Sequence, residues 1–200
     1  MAFAKSNKIG RYFRRRKLAR LVRSGVVPQG VSKEEIFEAL AATRPRGVVE
    51  FFGFLSAKVY GSDGNLKKDC GLQSVKEVTA EFAKHLIDNM CGAASGIVQY
   101  KFHAMGDGST AETDTETALV NQQGTRATGS QTHGASSNIY QTVATITAGS
   151  AFTAIEHGIF DSSTATDDKL LDRSLVASPP TLITGDEVEW TYSLTVNAGG

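Results

Sequence analysis

After Gly96 the sequence divides into seven short runs of β-branched and aromatic residues, and this pattern constrains the fold more than any other feature. The runs cover residues 97–104, 118–122, 125–132, 139–148, 152–160, 170–176 and 188–197. Segments rich in Gly, Asp, Ser and Pro separate them, as in turns. Seven such strands at this spacing predict a mainly β chain, an antiparallel β-sandwich of the jelly-roll or immunoglobulin-like type.

The last run has the clearest alternation of the seven. Trp190, Tyr192, Leu194 and Val196 alternate with polar residues. Because successive side chains of a strand point to opposite faces, this alternation predicts a final strand with one buried face. Trp190 is therefore expected in the core.

A net charge of zero hides a division between the two halves of the chain. Residues 1–90 contain 17 basic and 9 acidic residues, whereas residues 91–200 contain 4 and 12. Nine of the basic residues fall within the first 23 positions, where no acidic residue occurs. Such asymmetry indicates an N-terminal arm that binds an acidic surface, nucleic acid or the acidic half of a neighbouring copy.

Residues 1–46 are interpreted as a basic helical arm. Apolar residues at helical spacing among arginines predict an amphipathic helix over residues 8–23. After a linker, Ser32 and Glu35 have the spacing of a capping box, which predicts the start of a second helix. Arg44 precedes a proline, and we expect the helix to end there.

Residues 47–200 are interpreted as the sandwich domain, with one helix packed on it. Residues 48–60 alternate as a strand does and lead into a turn at 61–65. Ser74 and Glu77 also have capping-box spacing, which predicts a helix over residues 74–91. Its apolar face would be formed by Val75, Val78, Phe82, Leu86 and Met90.

Signatures of catalysis, metal binding and cofactor binding are not found. His85, His103, His133 and His157 stand in separate elements without zinc-site spacing. Adjacent Glu156 and His157 would point to opposite faces of a strand, so we do not expect them to act as an acid–base pair. The segment 106–108 follows a strand but opens no helix, so we do not expect it to bind phosphate. The segment 63–65 is better explained by a tight turn than by calcium binding.

Compartment and redox state also follow from the sequence. No apolar run reaches the 18 or so residues that span a bilayer, and Lys5 and Lys8 replace the apolar core of a secretion signal. We therefore expect neither membrane insertion nor secretion. Cys70 and Cys91 flank the predicted third helix and are expected to remain reduced thiols.

The candidate partner-binding residues lie in the arm. They combine six cations with two aromatic residues: Arg14, Arg15, Arg16, Lys17, Arg20, Arg23, Tyr12 and Phe13. Nucleic acid is the less favoured partner, because only those two aromatics are available for stacking on bases. An acidic protein surface is the favoured one.

Several segments together resemble a group of tailed-bacteriophage virion proteins. They span residues 63–76, 100–103, 125–129, 138–143, 155–160, 170–174 and 185–192. The resemblance covers about residues 48–197 and leaves the arm outside. It implies a structural component of a phage particle, assembled in the host cytoplasm, with no catalytic residues. The partners expected are the major capsid protein or other virion subunits, and further copies of this chain in a homo-oligomer.

Three interpretations of the function remain open. The favoured one is a capsid decoration or cement protein, tied to its neighbours by the arm. The second is an adaptor or fibre-attachment subunit of the neck or tail, which ring symmetry rather than a shell lattice would reveal. The third is a carbohydrate-binding module, which needs exposed aromatic platforms. A packaging protein that contacts DNA is a further, less favoured alternative.

Overall fold

The computed structural model describes residues 14–24, 31–43, 49–91, 100–165 and 168–197. Three helices lie in these ranges: α1 over residues 14–23, α2 (Lys33–Thr43) and α3 (Ala80–Met90). The strands are β1 (Glu50–Tyr60), β2 (Leu66–Glu77), β3 (Phe102–Gly106), β4 (Gln122–Thr128), β5 (Ser130–His133), β6 (Ile139–Thr147), β7 (Phe152–Thr153), β8 (Glu156–Phe160), β9 (Leu170–Leu175), β10 (Thr181–Leu182) and β11 (Glu187–Asn197). The protein is mainly β, as predicted.

The strands form antiparallel sheets. A five-stranded sheet has the order β2-β1-β11-β6-β5, and a four-stranded sheet has the order β4-β3-β8-β9. Strands β7 and β10 pair as a short ribbon. The two larger sheets share one apolar core, in which Leu55 and Trp190 of the first meet Met105 and Ile159 of the second.

Strand β1 is buried on both faces. Phe51, Leu55, Ala57 and Val59 belong to the core between the sheets. The opposite face carries Phe52 and Phe54, which pack beneath helices α1 and α2. We define the first cluster as the inter-sheet core and the second as the helical core.

The helical core joins the basic arm to the sheet. Ala19 and Val22 of α1, with Ile36, Ala39 and Leu40 of α2, pack on Phe52, Phe54 and Val75. The capping box of α2 is confirmed, since Ser32 Oγ accepts from the Glu35 amide and Glu35 Oε2 accepts from the Ser32 amide, each at 3.1 Å. The proposed division at residues 46 and 47 lies outside the described residues.

The predicted helix over residues 74–91 is wrong at its start. Ser74 and Val75 continue β2, and Val75 pairs with Phe54 of β1 and is buried in the helical core. The helix begins at Ala80, where the Thr79 hydroxyl accepts from the Phe82 amide at 3.1 Å. Ser74 is therefore no N-cap, and Met90 is exposed rather than buried. Within the described residues, no helix is long and apolar enough to cross a membrane.

Three other predicted strands also need correction. Residues 118–121 are not a strand, because the amides of Val120 and Asn121 donate to the Glu156 carboxylate instead of to a neighbouring strand. The run 125–132 is divided at Gly129, where the chain leaves the four-stranded sheet and joins the five-stranded one. The run 152–160 is divided at Ala154, whose amide bonds to Pro180 at 3.0 Å. Strands β2 and β10 were not predicted.

Candidate functional site

The basic residues of α1 lie on a helix that is anchored to the protein by its opposite side. Ala19 and Val22 are buried, whereas Arg14, Lys17 and Arg20 are exposed. At 100° per residue these three cations lie on the side of the helix that faces away from the core. Tyr12 and Phe13, the predicted aromatic partners, lie outside the described residues.

Two arginines of α1 are used within the chain. Arg15 Nη2 lies 2.6 Å from Glu38 Oε2 of α2, in an exposed ion pair. Arg23 Nη2 lies 2.8 Å from Glu50 Oε1, and its Nη1 donates to the Thr43 hydroxyl at 3.1 Å. These contacts orient α1 on α2 and β1. They also engage Arg15 and Arg23 within the chain, and sequence spacing could not show which of the cations of α1 are paired.

The remaining basic surface is therefore smaller than predicted. The structure describes no ion pair for Arg14, Lys17 or Arg20 with another of the residues it covers. Arg16 is exposed but has an interaction within the chain. We define Arg14, Lys17 and Arg20 as the cationic face of α1.

A buried carboxylate organises the other polar region of the molecule. Glu156, at the start of β8, is fully buried. It accepts hydrogen bonds from the amides of Gly108 at 3.2 Å, Val120 at 3.1 Å and Asn121 at 2.7 Å. These donors belong to the long segment between β3 and β4, so Glu156 fixes that segment to the sheet.

Two glycines make this arrangement possible. A Cβ atom at Gly106 or Gly108 would collide with the Glu156 carboxylate. The segment 106–108 thus lies against an internal carboxylate. The absence of a phosphate-binding role stays a prediction. Glycine lets backbone N–H groups approach an anion closely, and here that anion is the Glu156 carboxylate.

Arg173 supplies the compensating charge. Its side chain is fully buried, and Nε lies 2.6 Å from Glu156 Oε2 while Nη1 lies 2.6 Å from Glu116 Oε1. Nη2 donates to the Thr110 carbonyl at 3.1 Å. Glu156 accepts four hydrogen bonds and Arg173 donates three, so both side chains are committed to contacts within the fold.

A histidine pair occupies the core between the sheets. His103 Nδ1 and His157 Nε2 are 3.1 Å apart, and His103 Nε2 lies 3.1 Å from the Thr142 hydroxyl. His157 also packs on Trp190, with ring centroids 4.7 Å apart. Burial lowers the pKa of His103 to about 3 and the pKa of His157 well below its usual value, to which the neighbouring His103 adds.

The sequence placed these histidines in separate elements and did not predict their contact. The two histidines are 54 residues apart in the sequence, so no local spacing predicts the pair. Both rings are almost inaccessible to solvent and are held in the neutral form, which suits a packing role. The expectation that Glu156 and His157 point to opposite faces agrees with their separate sets of partners.

The other candidate groups have simple local roles. Asp63 accepts from the Asn65 amide at 3.0 Å and closes the turn between β1 and β2. His85 Nδ1 lies 2.6 Å from the Tyr100 hydroxyl, and His133 is exposed. Cys70 and Cys91 are free thiols. Among the described residues, no group of three or more His, Cys, Asp or Glu side chains could hold a metal ion.

The burial of ionisable residues inside β9 was not predicted from the sequence. This strand has the sequence Leu-Leu-Asp-Arg-Ser-Leu and is buried at its first five positions, including Asp172 and Arg173. Burial raises the pKa of Asp172 to about 6, although the nearby Tyr192 hydroxyl, a hydrogen bond from Ser174 and the charge of Lys76 lower it. Two charges inside an apolar run are the signal that could have identified them, since unpaired charges are not buried.

Comparison with known proteins gave no further information on identity. No protein-family model, curated protein or solved structure matches this chain.

Proposed function

We propose that this protein is a structural subunit of a tailed-phage virion, a decoration or cement protein of the capsid shell. In this proposal it has no catalytic activity and needs no cofactor. Its two larger sheets are the layers of a β-sandwich. It assembles in the host cytoplasm, as a homo-oligomer, on the major capsid protein or another virion subunit.

The cationic face of α1 carries the proposal. Arg14, Lys17 and Arg20 project from a helix whose other side is buried in the helical core. The like charges of Lys17 and Arg20 are three residues apart and repel each other on an isolated helix. An acidic partner surface would relieve this repulsion and would fix the register of the subunit on the shell.

The anchoring of α1 supports a role in assembly. A partner that binds an independent flexible arm must order it, which lowers the affinity. Here Ala19 and Val22 hold the helix on the sheet before any partner is bound. The entropic cost of presenting the three cations is thus already met in the folded subunit.

The test is incorporation into particles. Arg14, Lys17 and Arg20 are changed together to Gln, and subunit occupancy is measured in purified particles by quantitative mass spectrometry. The expected result is a loss of occupancy of at least about tenfold, equivalent to about 1.4 kcal/mol. A matched control changes Lys58, Lys68 and Lys84 to Gln, which alters the net charge equally and should leave occupancy close to normal.

Position in the particle decides between the two structural alternatives. Electron cryo-microscopy of intact particles should show the subunit across the shell lattice. Density confined to a ring at the neck or tail would instead support the adaptor. Binding of duplex DNA by the isolated protein, with a steep salt dependence that the triple variant lacks, would overturn both in favour of a packaging role.

A further inference from the structure

Lys76 and Glu112 form a largely buried ion pair. Lys76 Nζ is in direct contact with Glu112 Oε2, and both side chains are largely buried, with 19% and 15% of their surface exposed. The second carboxylate oxygen of Glu112 accepts from the Leu175 amide of β9. Glu112 therefore bridges the edge of β2 to the edge of β9, and its carboxyl group is held against the amine.

A third ionisable side chain shares this location. Lys76, Glu112 and Asp172 line one cavity of about 380 Å³. Asp172 is 2% exposed, and room for its carboxylate beside the Tyr192 hydroxyl exists because residue 53 is glycine, where a Cβ would collide with both groups. The cavity thus contains a nucleophile, an acyl carbon and a buried proton carrier.

We propose that Lys76 and Glu112 become joined by an intramolecular amide bond, formed by the folded protein itself, with Asp172 transferring the proton. One proton first passes from the Lys76 ammonium to the Glu112 carboxylate, which gives a neutral amine and a carboxylic acid. The amine then attacks Cδ of Glu112, and a C–N bond forms. Asp172 accepts a proton from the attacking nitrogen and returns one to the departing hydroxyl, so one C–O bond breaks and one water molecule leaves. Asp172 ends in its starting state, and no oxidant or activating co-reactant is consumed.

The surroundings favour each step. Burial lowers the pKa of Lys76 and outweighs the charges of Asp172 and Glu116, which raise it, so the fraction of the neutral amine increases. The raised pKa of Asp172 suits a group that both accepts and donates a proton near neutral pH. The Leu175 amide polarises the carboxyl group of Glu112, and the fixed contact replaces an encounter between separate reactants.

The bond would change the mechanical character of the protein. It would close the chain between residues 76 and 112 into a covalent loop and would tie the five-stranded sheet to the segment that Glu156 and Arg173 hold. Such a cross-link resists unfolding without disulfide chemistry. The inference concerns the folded chain alone and does not depend on the proposed place in a virion.

Intact-mass spectrometry of the denatured full-length protein tests the proposal. The expected mass is lower than that of the linear sequence by one water molecule. Peptide mapping should recover one branched peptide that joins residues 76 and 112. The Lys76→Arg variant should have its full linear mass. Lys58→Arg is the matched control, because Lys58 also pairs with a glutamate, Glu189 at 3.5 Å, but on the surface; it should retain the mass deficit.

Two further variants test the chemistry. Glu112→Gln should react with loss of ammonia instead of water, so its product should have the same mass as cross-linked wild type. Asp172→Asn should slow the reaction at least tenfold in folded protein, followed from the first minutes after synthesis. Formation at the wild-type rate would overturn the role of Asp172. A wild-type protein of full linear mass, folded by circular dichroism, would overturn the cross-link and leave an ordinary ion pair.

Discussion

The two cores on either side of β1 differ in chemistry. The helical core packs apolar side chains of α1 and α2 on those of the sheet, from Ala19 and Leu40 to Phe54. Between the sheets, the apolar cluster surrounds buried titratable groups, including His103, His157 and Asp172. The first core depends on apolar area removed from water, which tolerates small changes of geometry. The second depends in addition on the partners of its buried titratable groups.

This difference explains how the polar groups specify the fold. A buried charge without a partner costs several kcal/mol, so strands β8 and β9 are favoured in the pairing register that brings Arg173 to Glu156. The helices have no such requirement. We therefore expect the inter-sheet region to respond to pH and to loss of single polar groups, and the helical region to respond to loss of apolar volume.

Removal of the Arg173 charge should have the largest effect. Arg173→Met leaves the fully buried Glu156 and the partly exposed Glu116 without their cation, so we expect a loss of about 3–5 kcal/mol in the free energy of unfolding. Denaturant titration measures it, and hydrogen exchange at Gly108 and Asn121 should accelerate. Lys68→Met, at an exposed position of β2, should change stability by less than about 0.5 kcal/mol. A similarly small change in Arg173→Met would show that the network adds little.

Trp190 tests the apolar part of the inter-sheet core. Its side chain is fully buried and packs on His157, as the alternation of the last strand predicted. Trp190→Ala should cost about 3–5 kcal/mol, measured by thermal or denaturant unfolding. Trp190→Phe retains an aromatic ring in the site and should lose clearly less. Equal losses in the two variants would mean that ring contact does not contribute.

Local patterns predicted the parts of the fold that depend on neighbours in sequence. Strands β1, β6, β9 and β11 follow alternation or β-branched runs, and the α2 start follows the Ser32–Glu35 capping box. The same Ser-x-x-Glu spacing at residue 74 led to a wrong helix start, because residues 74–77 pair with β1 as part of β2. A capping box reports a local preference, which tertiary pairing overrides.

The site residues were less predictable because they depend on distant contacts. The structural role of Glu156 depends on the amides of residues 108, 120 and 121, which are distant in sequence and donate to its carboxylate only in the folded chain. Strand β2 was missed since Lys67 and Lys68 stand among few apolar residues at an exposed edge. The cationic face of α1 was visible as charge, but the internal use of Arg15 and Arg23 was not.

The pH dependence of stability should distinguish the two cores. His103 and His157 bind protons in the unfolded state below about pH 6.5 but resist protonation when folded, so their contribution is lost as the pH falls. Asp172 has the opposite effect. Its raised pKa makes the folded state bind a proton between about pH 4 and 6, which stabilises the folded state at low pH, and this stabilisation is lost as the pH rises. Together these groups should lower wild-type stability by about 1.4 kcal/mol per pH unit from pH 6 to 4.

The Asp172→Asn variant sharpens this prediction. Without the opposing carboxyl group, the two histidines alone should give a slope of about 2.7 kcal/mol per pH unit over the same interval. Denaturant unfolding of both proteins from pH 6 to 4 measures the difference, and contributions of all other acids cancel in the comparison. Parallel curves would show that Asp172 titrates normally. Leu40→Ala, in the helical core, should lower the wild-type curve without changing its slope.

The smallest expected effect lies at the rim of the helical core. Arg15 and Glu38 are paired at 2.6 Å, but 44% and 62% of their side-chain surfaces are exposed. Water screens such pairs and their long side chains lose entropy when held together, so Arg15→Gln should cost about 0.2–1 kcal/mol. At 1 M salt, where charges are screened within about 3 Å, the variant and wild type should unfold at nearly the same denaturant concentration. A loss that persists in high salt would mean that the methylene groups of Arg15 pack on α2, and that apolar contact rather than charge orients the two helices.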